Sequence, residues 1–223
     1  MTFTHGRTVL MLLLLVAVTH PAQAADLALE GNRLVVTGLL DGSAVQPFIA
    51  KLAQGGVKTV VFEDSLGGTA QAAVQYADAI RAAGVDTEVI GQCYAACAHA
   101  FLAGKEHRFG HGAQVNVLLI PVLTRPKAEE LAERWRGERA AQSLSEFVSP
   151  VAAHSDADGV AAAVPPPTPD RWQPEHGVLF TATPTLFGRI YNSYYCDGTQ
   201  GTDLTRCELL TDADPFKLGV LTP

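Results

Sequence analysis

The chain has 223 residues, 48% of them hydrophobic, and 23 acidic against 16 basic residues give a formal net charge of −7 at pH 7. This length is enough for one α/β domain with a sizeable core. An acidic balance without a basic stripe argues against nucleic acid and anionic lipid as partners, so the charge mainly serves solubility.

The first 24 residues are expected to be a cleaved secretory signal peptide. Arg7 supplies a positive charge, and residues 9–18 form an unbroken apolar run that is too short for a membrane span. Residues 21–24 read Pro-Ala-Gln-Ala, a small-residue cleavage pattern with the cut after Ala24. We therefore predict a periplasmic or secreted protein without a membrane anchor after cleavage; the alternative is an uncleaved anchor.

Residues 25–150 are predicted to form the main domain. Short strands at 27–30 and 34–38 meet at Gly31 and Asn32 as a hairpin, and residues 41–43 offer N-caps for a helix over 44–53. Two strand–turn–helix units follow, with strands at 58–62 and 85–90 and helices at 69–83 and 96–103. This order predicts parallel strands with right-handed crossovers.

The second half of the chain has a less regular pattern. A further strand is predicted over 108–122, interrupted at residues 110–112, and an amphipathic helix over 126–148. Residues 151–169, rich in Pro and Ala, indicate a linker. Residues 170–223 then form a C-terminal extension, either a small disulfide-closed module or an arm packed on the main domain. Its aromatic stretch at 185–195 is interpreted as core packing or as a binding face.

Glycine-containing turns follow both central strands. Residues 65–68 read Ser-Leu-Gly-Gly, and residues 91–97 read Gly-Gln-Cys-Tyr-Ala-Ala-Cys. Turns at the carboxyl ends of parallel strands are typical places for a site. The backbone N–H groups of Gly67 and Gly68 are candidates for holding an oxyanion.

Residues 35–110 resemble the Clp protease proteolytic subunit and its crotonase-fold relatives, most closely their secreted bacterial forms. The resemblance rests on the two motifs above, on Ile-Arg-Ala-Ala-Gly at 80–84 and on Phe-Leu-Ala-Gly at 101–104. It implies an α/β crotonase-type fold, a mostly parallel sheet with flanking helices, a peptide or protein partner and a homo-oligomer.

The catalytic positions of that family are degenerate here. Its nucleophilic serine falls on Ala95, which has no oxygen, and its histidine falls on Leu118, which cannot transfer a proton. The family's third catalytic residue, an acid, has no position that we can assign. No catalytic residue, metal or cofactor is therefore predicted.

The four cysteines are expected to form disulfides in an exported protein. Four cysteines allow three pairings, of which we favour the local one, Cys93 with Cys97 and Cys196 with Cys207. The alternatives are a reactive Cys97 thiol, or a metal held by Cys93, Cys97 and His99.

Other polar residues are weaker candidates. Ser65 is interpreted as structural, and His99 as a surface or hydrogen-bonded histidine of its helix. Glu63 and Asp64 are adjacent, so they would point to opposite faces of a strand and make a poor acid/base pair. His107 and His111 are a weak metal hint and are interpreted as loop residues.

Three functions are compatible with these residues. The first is an exported pseudopeptidase that binds a peptide or a protein, or acts as a scaffold. The second is an active periplasmic hydrolase with relocated chemistry at Cys97, Ser65 or Ser193. The third is a crotonase-type enzyme that uses the glycine amides, although acyl-CoA substrates are scarce outside the cytoplasm.

Overall fold

The computed structural model describes residues 24–122, 125, 176–200 and 203–223. Most of the expected signal peptide, the helix predicted over 126–148 and the linker at 151–169 lie outside the described residues. The strands are β1 (Asp26–Glu30), β2 (Arg33–Thr37), β3 (Thr59–Ser65), β4 (Asp86–Tyr94), β5 (His107–Phe109), β6 (Asn116–Pro121), β7 (Gly177–Thr185), β8 (Gly188–Cys196) and β9 (Glu208–Leu209). The helices are α1 (Val45–Ala53), α2 (Ala70–Ala83) and α3 (Ala96–Phe101), with a 3-10 turn at Leu204–Arg206.

Within the described ranges, nine strands form one sheet in the order β1-β2-β3-β4-β6-β7-β8-β9, with β5 also paired to β4. The pairs of β2 with β3, β3 with β4, and β4 with β5 and β6 are parallel. The β1–β2 hairpin and the pairs from β6 to β9 are antiparallel. The expected α/β class is confirmed, but the sheet is parallel only at its centre.

Both ends of α2 are set by local sequence. The hydroxyl of Thr69 accepts a hydrogen bond from the Ala72 N–H at 3.1 Å, and Gly84 ends α2 with a left-handed φ of 61°. The predicted side-chain cap of α1 is wrong. Ala44 is its N-cap, and the Asp41 carboxylate instead accepts from the N–H of Ser43 at 2.9 Å, because an Asp side chain readily bonds the backbone two residues on.

The C-terminal extension adds its strands to the same sheet. β7 pairs with the whole length of β6, from Asn116 opposite Ala182 to Pro121 opposite Gly177. Val220 and Leu221 are buried in the core that α1, α2 and the central strands share. Of the two alternatives for this segment, the structure shows the packed arm. None of the helices in the described ranges has the length and hydropathy to cross a bilayer.

Candidate functional site

Both motif strands are longer than predicted: β3 continues to Ser65 and β4 to Tyr94, with a β-bulge between them. Glu63 pairs with Ile90, but the next pair is Ser65 with Cys93, so β4 has one extra residue there. Asp64 adopts a φ of 47°, and its carboxylate accepts from the Gln92 N–H at 3.1 Å. A Cβ at residue 91 would collide with that carboxylate, which explains Gly91.

Asn116 fastens β6 to this bulge. Its side-chain carbonyl accepts from the Gly91 N–H at 2.9 Å, and its amide donates to the Gly110 carbonyl at 2.8 Å. The side chain is buried, so these bonds satisfy two backbone groups that water does not reach. Our sequence interpretation missed Asn116, although one polar residue at the start of the apolar run over 117–120 was an available signal.

Ala95 lies at the sharp turn between β4 and α3. Its backbone has φ 50° and ψ −106°, a conformation that non-glycine residues rarely adopt. The Ala95 N–H donates to the Leu119 carbonyl at 3.0 Å, and its carbonyl accepts from the His99 N–H at 3.1 Å, so strand and helix both hold the turn. A strained strand-to-helix turn of this kind is the geometry that exposes a nucleophile in many hydrolases.

Gly67 and Gly68 follow the end of β3, and Ala95 follows the end of β4, the parallel strand next to it. Gly67 and Ala95 each come two positions after the last pair between these strands, Ser65 with Cys93, so both turns leave the same edge of the sheet. The Leu40 N–H donates to the Gly67 carbonyl at 3.0 Å, whereas the N–H groups of Gly67 and Gly68 have no acceptor among the described residues. We call Gly67, Gly68 and Ala95 the double-glycine site.

A side chain is sterically excluded at residue 68. A Cβ there would collide with the backbone of Leu40, which lies opposite Gly68 in a parallel bridge. Gly68 also has a φ of 150°, within the range that favours glycine. The close approach of the two backbones therefore explains the second glycine of the motif.

Leu118 is a core residue. It is fully buried, lies opposite Cys93 in β4 and Phe180 in β7, and belongs to the same apolar cluster as both. At the position where the resemblance places a histidine, the chain has an aliphatic side chain in the core, on a strand with one paired neighbour on each side.

Both predicted disulfides are confirmed. Cys93 bonds Cys97 with a Cα–Cα distance of 5.2 Å, and Cys196 bonds Cys207 with a Cα–Cα distance of 4.6 Å. The first bridge spans the Ala95 turn and joins the end of β4 to α3. The alternatives of a Cys97 nucleophile and of a metal held by Cys93 and Cys97 are wrong, because both sulfur atoms are engaged with each other.

The remaining hydroxyl and imidazole candidates are buried, and they form no nucleophile–base pair within the described ranges. The Ser65 hydroxyl is buried and has no hydrogen-bond partner within the described ranges. The Ser193 hydroxyl donates to the Ala213 carbonyl at 2.5 Å. His99 is buried in α3, and burial lowers its pKa to about 3. His107 is in a strand, not the predicted loop, and its Nδ1 lies 2.8 Å from the Val220 carbonyl.

Glu63 and Asp64, at the end of β3, both line one cleft. The Asp64 carboxylate accepts its hydrogen bond from the Gln92 N–H of β4. The cleft has a volume of about 350 Å³ and is lined by Ala24, Asp26, Thr37, Gly38, Glu63 and Asp64. We call these six residues the acidic cleft.

No protein-family model and no curated protein matches the sequence. Among solved structures, an enoyl-CoA hydratase from Mycobacterium avium subsp. paratuberculosis K-10 is similar, with 14% identity over 55% of this chain and 60% of that chain and a TM-score of 0.35. A probable enoyl-CoA hydratase/isomerase from Mycobacterium abscessus has 11% identity over 43% of this chain and 48% of that chain, with a TM-score of 0.30. The chain thus matches about half of each protein's length, and at these TM-scores the similarity assigns it to no family.

Proposed function

We propose that the protein is an exported pseudopeptidase related to the Clp protease proteolytic subunit, and that it binds an extended peptide at the double-glycine site without cleaving it. The observation that carries this proposal is Ala95. The backbone there keeps a strained conformation at the strand-to-helix turn, and the side chain has no nucleophilic atom. Strain of this kind persists where the surrounding structure maintains a functional geometry.

The two glycine amides are the binding groups in this proposal. The N–H groups of Gly67 and Gly68, which have no acceptor among the described residues, would donate to a carbonyl or terminal carboxylate of the peptide. Leu66 projects between Ser65 and Gly67 with 53% of its surface exposed, and it offers an apolar contact beside them. Hydrogen bonds to the main chain with an adjacent apolar contact suit peptides of varied sequence.

The alternative of a hydrolase with relocated catalytic residues has little support, because the side chains that it would need are bonded elsewhere or buried. Cys97 is in a disulfide, and the Ser193 hydroxyl is bonded to a backbone carbonyl. Ser65 is buried, and no base within the described ranges bonds to its hydroxyl. The crotonase-type alternative also uses the glycine amides; hydration of a short enoyl-CoA by the purified protein would favour it over peptide binding.

The location and assembly belong to the same proposal. Two disulfides are typical of proteins that fold in an oxidising compartment, which supports export to the periplasm or beyond. The double-glycine site implies a peptide or unfolded-protein partner. A homo-oligomer is part of the proposal on the motif resemblance alone.

A fluorophosphonate probe tests the missing nucleophile. We expect no labelling of the purified protein, and none of Ala95→Ser, because Leu118 still supplies no base. Labelling or turnover by Ala95→Ser would show that a base lies elsewhere in the site and would overturn our placement of the lost histidine. A secreted serine hydrolase in the same sample serves as the positive control.

Fluorescence anisotropy with labelled, unfolded casein tests peptide binding. We expect saturable binding that Leu66→Asp weakens by about tenfold or more, since an apolar contact of one leucine contributes about 1.5–3 kcal/mol. Leu29→Asp is the matched control, because Leu29 is 52% exposed on the edge strand β1 while Leu66 is 53% exposed at the site. Absent binding, or equal losses in both variants, would contradict the proposal.

A further inference from the structure

The outer edge of β8 is open over residues 188–192. β9 covers only the far end of this edge, where Leu209 pairs with Tyr194 and Glu208 with Tyr195. Just before these pairs, the Leu210 N–H donates to the Ser193 carbonyl at 2.8 Å. Residues 188–192 pair with β7 on one side and with no described strand on the other.

The backbone polar groups on this edge point outward at every second residue. The Ser193 carbonyl faces away from β7, because it accepts from Leu210. Antiparallel strands bond to one neighbour through alternate residues, and β8 pairs with β7 without a bulge. The N–H and C=O groups of Arg189 and Tyr191 therefore face outward as well, where they make no backbone bond to a described loop or turn.

This edge lacks the features that keep exposed strands from pairing. β8 contains no proline, lysine, aspartate or glutamate, and the guanidinium of Arg189, its one charged residue, is bonded to backbone carbonyls. Ile190 is 55% exposed, and Leu186 and Phe187, in the turn before β8, are 97% and 100% exposed. An open edge beside exposed apolar side chains is a template for a further strand.

We propose that a second copy of this chain supplies that strand: β8 pairs with β8 of the other copy, antiparallel about a two-fold axis at Ile190. The surface lies in the C-terminal extension, outside the motif resemblance. It gives the homo-oligomer of the proposed function an interface, and it is separate from the residues of the double-glycine site.

The register follows from what each alternative would place together. Outward residues bond to outward residues in an antiparallel pair, so an axis at Arg189, Ile190 or Tyr191 is possible on the open stretch. An axis at Arg189 puts like charges directly opposite each other. An axis at Tyr191 needs Ser193, whose carbonyl Leu210 already occupies. With the axis at Ile190, Arg189 of each copy lies opposite Tyr191 of the other, and every outward group of the open stretch is used.

The same register covers the exposed turn, which favours a second copy over an unrelated strand. Counting from Ile190, Phe187 of one copy reaches the level of Ser193 of the other, where β9 ends and Leu209 is 52% exposed. Burying both copies of Phe187 removes about 300–500 Å² from water, at about 150–250 Å² each. That is a substantial part of the roughly 1,200 Å² of the smaller specific interfaces.

A cysteine at the proposed axis tests the register. Non-bonded pairs of antiparallel strands have Cα atoms about 4.5 Å apart, within disulfide range. All four native cysteines are already in disulfides. We expect Ile190→Cys to form a linked dimer on mild oxidation about tenfold or more faster than Thr183→Cys. Thr183 is the matched control, because it is exposed and lies opposite Ile190 in β7, one strand farther from the axis. Equal rates in the two variants, or no linked dimer, would overturn the proposal.

A proline at an outward position tests the backbone bonds. Proline has no N–H, and an edge strand tolerates it where that N–H would face solvent. Sedimentation equilibrium of the purified exported protein should show a reversible dimer. Arg189→Pro should weaken it by about tenfold or more relative to Arg189→Ala, which loses the same side chain but keeps the N–H, because the symmetric pair loses a hydrogen bond from each copy.

A parent protein that stays monomeric, or equal dimer constants for Arg189→Pro and Arg189→Ala, would contradict the pairing. Circular dichroism checks that Arg189→Pro is folded, and the cysteine variants decide the question if it is not. Casein binding is measured on the same samples. Its absence in an intact dimer would contradict the proposed peptide site and leave the pairing of β8 standing.

Discussion

Only two non-glycine residues of the described ranges have a positive φ, and both lie beside the candidate site. Asp64 is compensated, because its carboxylate bonds the Gln92 N–H across the bulge. Ala95 has no side-chain compensation, and the backbone bonds of β6 and α3 hold it in place. Backbone strain at the double-glycine site is therefore maintained by the surrounding structure.

Relieving this strain should stabilise the protein. Ala95→Gly removes the Cβ from a conformation with φ 50°, so we expect the free energy of unfolding to rise by about 1 kcal/mol. Ala98→Gly, within α3, is the matched control and should lower it by about 1 kcal/mol. Urea unfolding at neutral pH measures both. A loss of stability in Ala95→Gly would show that the turn is unstrained.

The buried histidines should make the fold sensitive to acid. Burial lowers the pKa of His99 from 6.5 to about 3 and also lowers the pKa of His107. At pH values between the ordinary histidine pKa of 6.5 and the lowered pKa of the native state, the unfolded chain binds protons that the native chain does not. The free energy of unfolding therefore falls as the pH drops below 6.5, by up to about 1.4 kcal/mol per pH unit for each histidine.

Urea unfolding at several pH values between 7 and 4 measures this slope. His99→Leu should flatten it, because one of the two buried titrating groups is gone, whereas substitution of the exposed His111 by leucine should leave it as in the parent. An unchanged slope in His99→Leu would mean that His99 is protonated equally in the native and unfolded chains.

At the scale of elements, the seam between β4 and β6 depends on Asn116. Asn116→Ala leaves the Gly91 N–H and the Gly110 carbonyl unsatisfied in the interior, so we expect a loss of about 2–4 kcal/mol in the free energy of unfolding. Asn116→Asp keeps an acceptor for Gly91 but loses the donor to Gly110 and buries a charge, so it should not restore stability. A surface substitution typically changes stability by roughly 0.5 kcal/mol or less. A change that small in Asn116→Ala would contradict this role.

The elements predicted well are those whose signals lie within their own length. The spacing of Val45, Phe48 and Leu52 predicted α1, and Thr69 with Gly84 set the ends of α2. The bulge was missed because it requires Asp64 and Gln92 to meet across two strands. β7 and β8 were missed as strands because their pairing with β6 is a contact between distant parts of the chain.

The same contrast between local signals and contacts of distant segments applies to the candidate site. Both disulfides were predicted from their spacing and are confirmed, since each depends on a short segment. The roles of Gly67, Gly68 and Ala95 rest on their motifs and stay predictions. The positive φ of Asp64 could not be predicted, because it accompanies a bulge between two strands that are distant in sequence.

At the scale of the whole molecule, the last residues of the chain complete the core. Leu221→Ala should lower the free energy of unfolding by about 2–5 kcal/mol, because Leu221 is buried among the central elements. Leu209→Ala, at a leucine that is 52% exposed in β9, should change it by about 0.5 kcal/mol or less. Urea unfolding of both variants measures the difference; equal effects would show that the C-terminal segment does not contribute to the core.

This arrangement sets the order of events during synthesis. The apolar core is incomplete until residues 220 and 221 leave the ribosome; Val220 and Thr222 contact His107 of β5 through their backbone atoms. β6 likewise has no antiparallel neighbour until β7 is synthesised. A nascent polypeptide therefore cannot close its native structure early. In the export that we propose, this late closure keeps the chain open for a channel that accepts only unfolded polypeptides.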